Sequence, residues 1–94
     1  MSQVRSLEMG LDVEEFLRLL PSAVAPHPFH SGDAEITVFH TEGEVRIELK
    51  PMPNRRIGAL SLPVTRVTIH SRVSESRLRD FFDHFDLRYQ KGGG

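Results

Sequence analysis

Two stretches with helical periodicity lie near the ends of the chain, and the long segment between them has the periodicity of β-strands. In residues 11–20 apolar side chains recur at the spacing i, i+3, i+4 and i+7, at Val13, Phe16, Leu17 and Leu20. In residues 73–85 the same spacing recurs, at Leu78, Phe81, Phe82 and Phe85. Each stretch therefore predicts an amphipathic helix whose apolar side must be covered by the rest of the chain.

Between these stretches the alternation of apolar and polar residues predicts three antiparallel strands. Residues 33–41 and 44–50 are expected to form a hairpin, with Glu42 and Gly43 as its two-residue loop. This loop pairs position 40 with 45, 38 with 47 and 36 with 49, so that inward side chains meet inward partners. It also places Phe39 beside Arg46, where a cation–π contact is expected.

The third predicted strand follows a turn over residues 51–56 and changes phase near Pro63. Leu60, Leu62 and Val64 share one alternation, whereas the apolar residues after Pro63 follow the opposite one. A bulge that returns both sets to one core is one interpretation. The alternative is an exposed edge that pairs with a second copy of the chain, which makes Leu60, Leu62 and Val64 a predicted homodimer interface.

The predicted fold is therefore an α+β two-layer sandwich of order α-β-β-β-α, with an antiparallel sheet and both helices on one face. Asp12 and Ser74 are the expected N-caps, and Pro21 is expected to end the first helix. The second helix should end near Asp86. The expected organisation is a flexible leader over residues 1–10, one domain over residues 11–89 and a flexible glycine-rich tail over residues 90–94.

Composition predicts the compartment. The 94 residues include no cysteine, which excludes a disulfide framework and thiolate metal ligands. No apolar run approaches the roughly 20 residues of a membrane span, and the first residues lack the apolar block of a secretory signal. We therefore expect a cytoplasmic domain that does not associate with membranes.

Charge is distributed unevenly along the chain. Residues 1–50 hold four Lys or Arg against nine Asp or Glu, whereas residues 51–94 hold eight against four. In the predicted sandwich, basic side chains fall on the uncovered sheet face and in the turn beside it, which suits a partner with carboxylates or phosphates. The predicted partner-binding residues are Phe39, Arg46, Lys50, Arg55, Arg56, Arg66, His70 and Arg72.

A protein partner is the preferred prediction for this face, and a nucleic acid is the alternative. The α-β-β-β-α order resembles that of double-stranded RNA-binding domains, which implies phosphate contacts from a lysine-rich start of the second helix. Here that start reads Ser74, Glu75, Ser76 and Arg77, which departs from the pattern. The sequence pI of about 6.5 also favours a protein partner, because nucleic-acid-binding domains are usually basic.

Three histidines suggest a second alternative. His27 and His30 are separated by two residues, and His40 follows in the first predicted strand. Three imidazoles suit zinc, copper or nickel, so metal binding through these residues is an alternative function. The simpler interpretation places them in a loop and at the sheet margin, with His40 partly buried because it shares the phase of Ile36 and Val38.

Catalytic motifs are absent from the sequence. It contains no G-x-S-x-G, no glycine-rich phosphate loop and no H-E-x-x-H. We therefore expect a binding domain that is not an enzyme and that needs no cofactor. The last three residues, 92–94, resemble the diglycine ends of ubiquitin-like sulfur carriers, which implies a tail that is adenylated and thiocarboxylated. Those proteins place two strands before their main helix, whereas this chain is predicted to open with a helix.

Overall fold

A computed structural model of the chain describes residues 3–92, which form a five-stranded antiparallel sheet and two helices. The elements are β1 (Gln3–Met9), α1 (Val13–Val24), β2 (Phe29–Ser31), β3 (Glu35–His40), β4 (Gly43–Ile57), β5 (Leu60–Ser71) and α2 (Arg79–Gly92). The strand order across the sheet is β1-β5-β4-β3-β2. The predicted α+β two-layer class is confirmed, and the order gains one strand at each edge of the sheet.

Both helices pack on the same face of the sheet and form one core with it. The inward side chains of the three central strands are buried, as are the apolar sides of α1 and α2. The fully buried side chains include Phe16, Leu20, Ile36, Val38, Val45, Ile47, Val67, Ile69 and Phe85. The opposite face of the sheet is covered by no element of the described chain.

The expectation of a flexible leader over residues 1–10 is wrong, because residues 3–9 form β1 and pair with β5. Leu7 and Met9 pack against the core from this strand. The sequence did not predict this strand because a charged residue, Arg5, occupies a position whose side chain points toward the core. Its guanidinium lies 5.1 Å from the ring centre of Phe82 and pairs with Asp86 at 2.9 Å, which makes the inward position tolerable.

Both helices end later than predicted. Asp12 caps α1 as expected, accepting a 2.8 Å hydrogen bond from the amide of Glu15. The helix then continues through Pro21, which removes one backbone hydrogen bond. Burial of Ala23 and Val24 beyond the proline favours this extra turn.

The second helix also differs at its start. Turns occupy residues 75–78 after Ser74, and α2 begins only at Arg79. It runs past Asp86 to Gly92, so residues 90–92 of the expected flexible tail are helical. Gly93 and Gly94, which carry the rest of that expectation, lie outside the described residues.

The hairpin of β3 and β4 has a register two residues away from the predicted one. Its pairs are position 36 with 47, 38 with 45 and 40 with 43, so the turn is formed by Thr41 and Glu42. Gly43 has a φ of +148°, and a Cβ atom there would lie 2.7 Å from Cγ2 of Val73. The first residue of β4 must therefore be glycine. Phe39 consequently stands opposite Glu44, so the predicted pairing with Arg46 is wrong.

The predicted turn over residues 51–56 is instead part of β4, which runs on to Ile57. One extra residue is accommodated in β4 between Met52 and Arg55, which makes a bulge against β5. Proline is tolerated here because β3 pairs with β4 only as far as Glu48, which leaves the outer edge free. Beyond the body of the sheet, β4 and β5 continue as a two-stranded ribbon, residues 52–64, which we call the β-arm. The molecule measures 45 Å along its longest axis.

Candidate functional site

The uncovered side of the sheet, here called the open face, carries alternate side chains from all five strands. Pairing places Val4 opposite His70, His70 opposite Arg46 and Arg46 opposite Thr37, so these four side chains form one row across the face. All residues of the face are exposed or half-buried. The open face consists of Val4, Ser6, Glu8, His30, Glu35, Thr37, Phe39, Glu44, Arg46, Glu48, Lys50, Arg66, Thr68 and His70.

Both arginines of the open face are paired with acidic neighbours on the same or an adjacent strand. Arg46 lies 3.6 Å from Glu35 and 3.8 Å from Glu48, measured between nitrogen and carboxylate oxygen. Arg66 donates a 3.2 Å hydrogen bond to Glu8. The face predicted to be rich in unpaired arginine is therefore close to neutral, because its four glutamates offset its basic residues.

His70 occupies the middle of this charged region. Its Nε2 atom is shielded from solvent and has no hydrogen-bond partner. The carboxylate of Glu48 lies 3.5 Å from it, which is an ion-pair distance but too long for a good hydrogen bond. His70 is thus held beside Glu48 and does not project as a free ligand.

The open face continues onto one side of the β-arm. Because cross-strand partners share a side, Val64 lies with Met52, Leu62 with Arg55 and Leu60 with Ile57. Thr65 points into the core, so Val64 and the residues that alternate with it point to the open side.

The apolar residues on this side of the β-arm are exposed. Ile57 is 56% exposed, Leu60 63% and Leu62 40%, and Val64 is half-buried. A bulge that returns these leucines to the core is therefore wrong. The extra residue sits in β4, so the alternation of β5 passes through Pro63 unchanged. The opposite side of the β-arm is polar, where Asn54 donates a 3.1 Å hydrogen bond to Ser61.

Neither edge of the β-arm pairs with another strand of residues 3–92. On β4 the pairing with β3 ends at Glu48, and on β5 the pairing with β1 ends at Thr65. A two-stranded ribbon with no further strand is marginally stable in water, and its free edges invite association. The β-arm thus combines an exposed apolar side with two unpaired edges.

Exposed apolar side chains concentrate on the uncovered side of the molecule. Among the described residues seven large apolar side chains are exposed, and five of them lie on the open face or the β-arm. These five are Val4, Phe39, Ile57, Leu60 and Leu62. Sequence reasoning missed Val4 and Ile57. The sequence did contain a signal for Ile57. A two-residue Gly-Ala turn pairs Ile57 with Leu60, which puts both on the same side as Leu62.

The other predicted arginines are spread over both sides and both ends of the sheet. Arg55 points to the open side of the β-arm, and Arg56, the next residue in the strand, points to the polar side. Arg72 directly follows β5 at the other end of the sheet. At ~3.3 Å per residue it lies about 33 Å along the strand from Leu62, the partner of Arg55. It lines a wide groove of about 660 Å³ with Glu44 and Arg46.

The structure places the three histidines on different sides of the sheet. His27 and His40 lie on the helix side with ring centres 4.3 Å apart, and both contact the ring of Phe81. His40 is half-buried, as predicted. His30 pairs with Thr37 and therefore lies on the open face. The three-histidine metal site is wrong, and no group of three or more His, Asp or Glu side chains within the described residues is arranged to hold a metal ion.

The His27–His40 pair has a clear electrostatic consequence. Burial of His27, and then its proximity to His40, lower the pKa of the His27 imidazole below its usual value near 6.5. Its neutral form is therefore favoured in the folded protein. The pair belongs to the margin of the core and not to the open face.

Comparisons with known proteins identify no relative of this chain. No protein-family model, curated protein or solved structure matches it. Across residues 3–92, neither helix has the length and apolar character needed to cross a membrane.

Proposed function

We propose that this domain is a non-catalytic protein-interaction module that binds a protein partner with its open face and the apolar side of its β-arm. The observation that carries the proposal is that, of the seven large apolar side chains exposed among the described residues, five lie on the side that no helix covers, two on the sheet and three together on the β-arm. Exposed apolar surface that is concentrated in this way marks contact surfaces of soluble domains. A cytoplasmic setting suits a chain without cysteine, because small domains of oxidising compartments commonly rely on disulfides.

The charges of the open face favour a protein over a nucleic acid. A phosphate backbone binds through cationic side chains that can replace its counterions. Arg46 and Arg66 already pair with glutamates of the same face. A mixed, nearly neutral surface with apolar ends is instead typical of contacts between proteins.

Photo-crosslinking in cells tests the proposal. A photoreactive amino acid replaces Phe39 on the open face in one variant and Leu87 on α2 in the other. The two positions are matched, since Phe39 is 44% exposed and Leu87 is 48% exposed. We expect covalent protein adducts from position 39 and few or none from position 87. Equal yields at both positions, or no adduct from position 39, would contradict the proposal.

A further inference from the structure

We infer that the free edge of β1 binds an extended segment of a partner protein, which adds to the sheet antiparallel to β1. The segment places an apolar side chain, and two residues later a basic one, in the groove between β1 and α2. This edge is a second contact surface at the side of the sheet. The inference therefore goes beyond the proposed function and does not depend on it.

The direction of the backbone groups along β1 follows from the ladder of the sheet. The amide of Leu49 donates a 2.9 Å hydrogen bond to the carbonyl oxygen of Ala34, on the β3 side of β4. Leu49 pairs with Val67, so the N–H and C=O groups of Val67 point away from β4 and toward Leu7 of β1. The residues that alternate with Leu7 therefore direct their backbone groups to the free edge. They are Val4, Ser6 and Glu8.

This edge is able to accept a strand. It presents three N–H and three C=O groups, because β1 contains no proline. No strand of residues 3–92 pairs with them. The opposite edge of the sheet is β2, which has only three residues. Free edges bind extended peptides through main-chain hydrogen bonds, and pockets for alternate side chains provide the specificity.

α2 runs beside β1 and forms the wall of a groove along this edge. Leu7 and Met9 point to the helix side and are half-buried, and with Tyr89 they line a groove of about 470 Å³. Opposite side chains of paired strands share a side, so the residue opposite Leu7 enters this groove. An apolar side chain there covers the parts of Leu7 and Met9 that water reaches.

The charges nearer the start of α2 favour a basic side chain two residues later, opposite Arg5. A second groove of about 420 Å³ shares Arg5 and Asp86 with the first. These two side chains pair with each other at 2.9 Å. The remaining charged lining consists of Glu75 and Asp83 against Arg79, which leaves one negative charge in excess. A lysine or arginine of the added strand neutralises this excess.

The order of these two side chains distinguishes a partner segment from a second copy of β1. An antiparallel strand passes Leu7 before it passes Arg5, so it needs an apolar residue followed two positions later by a basic one. In β1 itself the basic residue, Arg5, precedes the apolar Leu7. A second copy of β1 therefore does not supply the pattern in any register.

Selection from a random peptide library displayed on phage tests the edge. The wild-type chain should enrich peptides that contain an apolar residue followed two positions later by lysine or arginine. Ser6→Pro removes the central outward N–H without removing a hydrogen bond between β1 and β5, so it should keep its circular dichroism and enrich none of these peptides. Ser6→Ala keeps the N–H and should enrich the same peptides as the wild type. No enrichment by the wild type, or equal enrichment by Ser6→Pro, would overturn the inference.

A charge exchange and amide exchange test the position of the bound peptide. Asp83→Lys should weaken binding of an enriched peptide by about tenfold, and replacing the basic residue of that peptide with glutamate should restore the affinity. Asp33→Lys, the same change in the exposed loop before β3, should leave the affinity unchanged. Binding should also slow hydrogen exchange of the Ser6 amide. A Ser6 amide that exchanges equally fast with the peptide bound, or binding that Asp83→Lys leaves unchanged, would overturn strand addition in this groove.

Discussion

The hydroxyl of Tyr89 donates a 2.9 Å hydrogen bond to the backbone carbonyl oxygen of Phe16, and the two rings stack with centres 4.6 Å apart. This contact joins the last turns of α2 to the first turn of α1 inside the core. It explains why α2 continues beyond Asp86. The covered side of the sheet is thus closed by a specific contact between its two helices, whereas no element of residues 3–92 covers the other side.

The first prediction concerns alkaline pH. Burial raises the pKa of the Tyr89 phenol above its usual value near 10, so the unfolded chain loses this proton at lower pH than the folded chain does. Stability should therefore be unaffected by this group below about pH 10 and should fall as the pH rises above it. Urea unfolding at a series of alkaline pH values measures the effect. Tyr89→Phe should flatten the slope, and an unchanged slope would refute the assignment.

The second prediction concerns the core. Phe16 is completely buried between the helices, so Phe16→Ala should lower the free energy of unfolding by about 3 to 5 kcal/mol. Leu17, the next residue on α1, is exposed and serves as the control. Leu17→Ala should change stability by no more than about 0.5 kcal/mol. Chemical denaturation of both variants gives the comparison, and similar losses at the two positions would contradict the described face of α1.

The third prediction concerns mild acid. Because the pKa of His27 is lowered in the folded state, the unfolded chain binds a proton there more readily. The contribution of this group to stability is complete above about pH 6.5 and is lost as the pH falls towards the folded-state pKa. Nuclear magnetic resonance titration should show His27 titrating below the usual histidine value near 6.5. His40→Gln should raise the His27 pKa by removing the neighbouring charge, and no change would exclude that coupling.

The fourth prediction separates steric overlap from backbone strain at three glycines. Gly43→Ala should cost about 2 to 4 kcal/mol, since its positive φ and the contact with Val73 both oppose a side chain. Gly58→Ala, which has a φ of +59° but no neighbour within 4 Å, should cost only about 1 kcal/mol. Gly10→Ala has neither obstacle and should be nearly neutral. Thermal unfolding ranks the three, and any other order would contradict the close approach at Gly43.

Sequence periodicity predicted the two helices and the covered face of the sheet, because buried side chains recur along the sequence with the period of the helix or strand that carries them. Phe16 and Phe85 are buried as their spacing required. The hairpin register was not predictable in this way, because a shift of two residues leaves every side chain on the same face. Contacts between residues distant in sequence, such as the close approach of Val73 to Gly43, accompany the observed register.

The charge of the open face was missed for a related reason. Whether Arg46 is free or paired depends on which glutamates lie beside it on neighbouring strands, and the incorrect register placed Phe39 there. In the structure Thr37 stands opposite Arg46, which brings Glu35 of β3 to 3.6 Å from the guanidinium, and Glu48, two residues along β4, lies 3.8 Å from it. The β-arm was missed because Pro51 and Pro53 suggest a turn, although an unpaired strand edge accepts them. Which charges of a surface are paired therefore depends on strand register, which composition does not determine.

Amide hydrogen exchange of the β-arm tests the contact surface most directly. A ribbon with two unpaired edges opens readily, so its amides, such as those of Leu60 and Leu62, should exchange quickly in dilute solution. Partner binding through the open face should slow them when the isotope-labelled chain is moved from dilute buffer into an extract of the cells that produce it, while the central amide of Val67 should stay equally protected in both. Exchange in the β-arm that is equally fast in buffer and in extract would contradict the account.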